Sequence, residues 1–168
     1  TSGAILQPKN LVNIFNNVFS IGLISVGVIF LMSMGCLDLS VGAMVGASAA
    51  ISAIVASYYN VPVIITSILT GTLFGVVNGF IVSYLGVDSF IATLSISFVL
   101  RGLTTWMLNG TVGAPFLLRT FDNIYIRISI FIVIIIALFL LYDLTSYGKH
   151  CRSIGSSSEA AFQSGVTV

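Results

Sequence analysis

Apolar residues run almost unbroken through five stretches of this chain, and polar or turn-forming residues stand between them. Residues 14–34, 41–58, 63–85, 89–108 and 125–142 are the apolar stretches. At ~1.5 Å per residue each approaches or exceeds the ~30 Å of a bilayer core. The intervals read as boundaries: Pro8-Lys9-Asn10 before the first, Tyr58-Tyr59-Asn60 with Pro62 before the third, and Gly86-Val87-Asp88 before the fourth. Asp88 or Ser89 is expected to cap the fourth helix. Residues 109–123 form a loop, with Asn109-Gly110 and Gly113-Ala114-Pro115 as its turns. The pattern predicts an all-α fold, a polytopic transmembrane helical bundle of about five spans.

Small residues recur within two of the spans at four-residue spacing. Gly42, Gly46 and Ala50 do so in the second, and Ser67, Gly71, Gly75 and Gly79 in the third. Such ridges let helices approach closely, so Gly42, Gly46, Gly71, Gly75 and Gly79 are expected to pack against other helices. The fifth span has no ridge and is expected to face lipid. Arg101, near the end of the fourth, is expected to snorkel to the interface, with lining a pathway as the alternative.

Between the first two spans lies Met34-Gly35-Cys36-Leu37-Asp38-Leu39-Ser40-Val41-Gly42. A carboxylate at membrane depth costs several kcal/mol unless solvated or partnered, which makes Asp38 a candidate site. It is equally a candidate helix cap: Asp38 or Ser40 would accept from the first N–H groups of the following helix. The two roles are compatible, because a cap inside a membrane protein is also a break where backbone and water meet. Ser40, Asn78, Thr93 and Ser95 join Asp38 as polar groups on a possible solute pathway, and each is also an ordinary helix-packing residue.

Composition narrows the class. Hydrophobic residues make up 57% of the 168 and charged residues 7%, against roughly 25% charged in soluble domains. The net charge of +1 comes from scattered basic residues, which gives no footprint for nucleic acid. Cys36 and Cys151 stand in unlike contexts and suggest neither a disulfide nor a metal site. A phosphate-cradling G-x-x-x-x-G-K-[ST] loop is absent from the sequence, as is a nucleophile, base and orienter set, so no catalytic residue, cofactor or metal is expected on this chain.

After the fifth span the chain turns polar. Ser146-Tyr147-Gly148-Lys149-His150-Cys151-Arg152 is the basic cluster, which the positive-inside tendency places in the cytoplasm. Counting back puts the 109–124 loop outside, 86–88 inside, 58–62 outside and the Asp38 break toward the inside. Ser156 and Glu159 have the S-x-x-E spacing of a capping box, and Gly165 supplies a stop, predicting a short docked helix. Thr1 is not an initiator, and the chain is expected to be an internal fragment with a further span upstream.

These residues carry a resemblance. Gly35-x-Leu37-Asp38-Leu39-Ser40-Val41-Gly42, Phe90-Ile91-Ala92-Thr93-Leu94 leading to Arg101-Gly102, Gly148-Lys149, and Gly155-x-x-x-Glu159-Ala160-Ala161 before Ser164-Gly165-Val166 resemble the ribose-type sugar permeases of bacterial ABC importers. Asn10-Leu11-Val12-Asn13-Ile14 is similar to the lead-in to that family's second span. Cys36 and Met34 depart from the pattern, and several later spans of the family are missing. The resemblance implies one permease domain over residues 1–168 with a cytoplasmic coupling segment at 147–165, in which Glu159, Ala160, Ala161 and Gly165 engage an ATPase. It implies a second permease subunit, separate ATP-binding subunits that use the ATP, an extracytoplasmic solute-binding protein and a place in the bacterial inner membrane among its lipids. The expected function is import of a monosaccharide such as ribose. Another small polar solute (an autoinducer, nucleoside or branched-chain amino acid) and an ATP-independent channel or scaffold are the alternatives.

Overall fold

The computed structural model describes residues 7–108 and 123–165 of the chain, which includes no strand among those residues. Its helices are α1 (Pro8–Ser33), α2 (Val41–Tyr59), α3 (Val63–Ser83), α4 (Ser89–Met107), α5 (Ile124–Leu144), α6 (Ser146–Ser156) and α7 (Ser158–Gln163). Five of them, α1 to α5, are long and apolar enough to cross a membrane. The loop predicted at 109–123, and Val166, lie outside the described residues except for Asn123.

The first helix begins six residues earlier than the apolar pattern suggests. Pro8 at its first turn needs no N–H partner there, and Asn10 and Asn13 are tolerated in the turns that follow. The third ends at Ser83, two residues early, and Gly86 then takes a φ of +67° that glycine adopts at little steric cost. Asn60 ends α2 in the left-handed region, a conformation to which asparagine is unusually suited.

The chain divides into two compact units. In the unit of residues 36–123, α2 is the common partner of α3 and α4. Ser67 donates to Ser52 at 2.9 Å and Ser48 lies 3.7 Å from where a Cβ on Gly71 would be, so α3 runs antiparallel to α2. Leu37 meets Ser89 and Leu39 meets Thr93, so α4 runs parallel to it. Ala43, Ala47 and Leu100 form the core, with Met44, Phe74 and Ile96 packed around them. Small residues are right for this place. Lipid tails are as apolar as leucine, so close backbone approach and hydrogen bonds of about 0.6 kcal/mol hold such helices together.

The small-residue face in contact is therefore offset by one position from the glycines on α2. Ala43 and Ala47 are buried, whereas a Cβ on Gly42 or Gly46 would meet nothing within 4 Å. On α3, Gly71 faces Ser48, and Gly75 and Gly79 likewise have nothing within 4 Å among the described residues.

The other unit comprises residues 1–35 and 124–168. Here Asn16 accepts from Arg127, a Cβ on Gly22 would lie 3.2 Å from the Phe131 ring and Phe30 meets Tyr142 edge-on at 5.1 Å, so α1 and α5 run parallel. The glycine that lets these two spans approach stands on α1, which is how α5 packs without a ridge of its own. The segment 146–156, expected only as a polar tail, is a helix lying across the last turns of both.

Candidate functional site: the polar break and the terminal helix pair

The break between the first two spans is non-helical from Gly35 to Leu39, and its backbone is held by side chains in place of a helix ladder. The Leu37 N–H donates to Ser89 Oγ at 3.3 Å and the Leu39 N–H to Thr93 Oγ1 at 3.1 Å. Thr93 in turn donates within its own helix, to the Ser89 carbonyl at 2.7 Å. Asp88 frees Ser89 for this work, since its carboxylate caps α4 by accepting from Phe90 and Ile91 N–H at 3.0 and 3.3 Å. Irregular backbone at membrane depth is tolerated where protein or water satisfies it, and here two hydroxyls do so.

The carboxylate of Asp38 does not cap α2 as the sequence suggests. Its Oδ1 accepts from the Ser40 N–H at 2.7 Å and from the Ser40 hydroxyl at 2.6 Å. Ser40 already has helical backbone angles and makes no side-chain cap bond. Its hydroxyl turns back to the carboxylate, which folds the residues before α2 into a local turn. Asn78 of α3 donates from Nδ2 to Ser40 Oγ at 2.6 Å, while its Oδ1 is buried with no partner among the described residues. Ser40 is fully buried, and Asn78 and Thr93 are 6% and 3% exposed. Asp38, Ser40 and Asn78 thus form one hydrogen-bonded node, and Thr93 holds the Leu39 N–H beside it. Ser95 does not join it: it is exposed and donates to Ile91 of its own helix at 2.8 Å. Asn78 lies five residues from the end of α3 and Thr93 four from the start of α4, so the node sits about 6–8 Å in from those ends at ~1.5 Å per residue.

In the other unit, α6 is fixed by two glycines whose absence of a side chain is required. A Cβ on Gly148 would lie 1.8 Å from the Tyr142 carbonyl oxygen, and one on Gly155 would lie 1.9 Å from that of Ser33. Arg152 adds an ion pair to Asp143 at 2.9 Å, a bond to the Tyr142 carbonyl at 3.3 Å and a stack 4.7 Å over the Tyr142 ring. Both ends of that ion pair are well exposed, so it contributes under about 1 kcal/mol. Partial burial and the neighbouring Cys151 raise the Tyr147 phenol above its ordinary pKa.

The short helix α7 forms, with its cap one residue later than S-x-x-E implies. Ser157, extended at φ −166°, accepts from the Ala160 N–H at 3.2 Å. Ser156 instead closes the last turn of α6 and donates to the Ser153 carbonyl at 2.9 Å. Glu159 is then the second helical residue, too early to close a capping box. Three consecutive serines make each a competent cap, and where α6 ends decides among them. Gly165 ends the turn at φ +82°, as expected. Ala161 is 3% exposed on the side of α7 turned to α6, while Glu159, Ala160 and Phe162 are exposed.

Five spans and a side-chain-held polar break define a multi-pass α-helical membrane protein. Residues 10–168 match the family described as "Branched-chain amino acid transport system / permease component", and the chain belongs to that permease family. It is similar to the xylose transport system permease protein XylH of Haemophilus influenzae, at 34% identity over 68% of this chain and 32% of the relative. The ribose import permease protein RbsC of Bacillus subtilis is 31% identical over 98% of this chain and 55% of its own length. The L-arabinose ABC transporter permease protein AraH of Azospirillum brasilense is 31% identical over 97% of this chain and 51% of its length. The chain therefore spans between a third and about half of these relatives. No solved structure matches it.

Proposed function

We propose that this chain forms part of the permease subunit of an ATP-driven, binding-protein-dependent importer of a monosaccharide, in a bacterial cytoplasmic membrane. The observation that supports this most is the similarity, along nearly all of the chain, to permeases named for ribose and arabinose. The chain would bind no cofactor, and ATP would be hydrolysed by separate cytoplasmic subunits docked against α7. An extracytoplasmic binding protein would deliver the sugar, and a second permease subunit would pack on the open glycines Gly75 and Gly79. Asp38, Ser40 and Asn78 would keep a hydrated break in the wall of the pathway, with Thr93 holding its backbone.

A second reading, import of a branched-chain amino acid, draws on the description of the family. Sugar-named relatives favour the first. Docking is tested by pull-down of the ATP-binding subunit with the full-length permease. Ala160→Trp, on the exposed side of α7, should abolish association while membrane insertion stays intact, whereas Glu159→Ala should weaken it slightly. Full association by Ala160→Trp would remove α7 as the docking element. Ala161→Trp is the poorer probe, since its side chain would force α7 off α6 before meeting any partner.

A further inference from the structure

Along one side of α2 and α4 runs a cleft of about 390 Å³, lined by Gly42, Ala43, Gly46, Arg101, Thr104 and Thr105. That volume lies within the ~300–1,000 Å³ of small-molecule sites. Arg101 stands six residues before the end of α4. It lies about 18 Å from the start of α4 and about 9 Å from its end at ~1.5 Å per residue, which is deep in a ~30 Å hydrocarbon layer. Its guanidinium is exposed and has no ion-pair or hydrogen-bond partner among the described residues. An ionised group at such depth faces a wet cavity or a polar partner, because hydrocarbon solvates it poorly.

The walls on either side suit a neutral, hydroxyl-rich guest. Thr104 and Thr105 donate to the carbonyls of Leu100 and Arg101 at 2.7 and 2.9 Å, so their oxygens remain free to accept. The guanidinium offers five donors in a planar fork. Gly42 and Gly46 leave the opposite wall bare backbone, with nothing within 4 Å of either Cβ position. The donors of Arg101 and the acceptors of Thr104 and Thr105 thus face a wall of small residues, a lining that can exchange hydrogen bonds with hydroxyls without trapping them.

We propose that the α2–α4 cleft is a sugar-contacting segment of the solute passage and that Arg101 is its principal hydrogen-bond donor. This rests on the importer reading, and the experiment separates the two. The full-length permease is reconstituted with its ATP-binding subunits and binding protein, and uptake of D-ribose, D-xylose and L-arabinose is measured in turn. For whichever sugar is carried, Arg101→Gln should lower the maximal uptake rate per permease about tenfold while KM, set by capture on the binding protein, stays unchanged, and Arg101→Lys should recover part of the loss. In parallel, Gly46→Cys and Thr104→Cys are treated with a charged methanethiosulfonate, with modification at each position read by mass spectrometry. Both should react, and saturating sugar should slow the reaction at least fivefold. Reaction with a lipid-soluble maleimide alone would overturn the proposal, with lipid or a packed helix as the occupant. So would an Arg101→Gln variant that lowers permease content while leaving the uptake rate per permease unchanged, which would point to a carboxylate on another span. Failure of the wild type to carry any of the three sugars would count against the importer reading, and the charged-reagent labelling would still report whether the cleft is wet.

Discussion

At Asp38 a single carboxylate oxygen holds two donors, and the fate of the break depends on it. Asp38→Asn keeps an acceptor oxygen in the same place and should keep most of the fold. Asp38→Leu strands the Ser40 N–H and hydroxyl and should cost about 1–3 kcal/mol, seen as a lower midpoint of thermal unfolding of the full-length permease in detergent. Equal midpoints for the two variants would remove the node as a structural element. Ser89→Ala should destabilise by a comparable route, freeing the Leu37 N–H, while leaving the Asp88 cap of α4 in place. The break around Asp38 was legible in the sequence, as a charge between two apolar runs. The partners of the segment around it were not, because Ser89 and Thr93 stand 52 and 54 residues from the backbone groups they hold and leave no local pattern.

Among the elements, α6 depends on close backbone approach at both of its ends. Gly155→Ala or Gly148→Ala places a methyl inside a carbonyl oxygen, so the helix must shift, at about 1–3 kcal/mol as overpacking generally costs. Gly27→Ala, where a Cβ meets nothing within 4 Å, is the matched control and should be silent or slightly stabilising. Differential scanning fluorimetry of the three variants checks this, and equal midpoints would contradict the seating described. For α7, Ser157→Ala should cost about 1 kcal/mol locally and Ser156→Ala nearly nothing, read by hydrogen exchange of the Ala160 amide. The sequence announced α7 through its serines and terminal glycine, and misplaced the cap because three consecutive serines are each a competent cap and only the end of α6 decides among them. Tyr147, Cys151 and Ile154 of α6 do stand at i, i+4 and i+7, a short stripe masked by the basic and serine residues around it, which read as a solvated tail. Of the small-residue ridges, Ala50, Ser67 and Gly71 pack within this chain, and on α2 Ala43 and Ala47, one position along from Gly42 and Gly46, are buried as well.

For the whole molecule, the parallel run of α1 and α5 places their C-terminal ends, and α6 with them, on one side of the membrane. Alternation through the three intervening spans gives the same parity. With the basic residues of α6 in the cytoplasm, a cysteine at Asn60 should react with an impermeant maleimide added to intact cells, and one at Lys149 should not. Labelling of the Lys149 position from outside would invert the arrangement. Under the proposed function these spans carry a sugar inward at the expense of ATP. The most direct measurement is uptake of labelled ribose, xylose or arabinose into proteoliposomes holding the full-length permease, its ATP-binding subunits and its binding protein. ATP-dependent accumulation of at least one sugar, lost in Asp38→Leu permease that still assembles, is the predicted result. Sugar entry that proceeds equally without ATP, or full accumulation by Asp38→Leu, would contradict it.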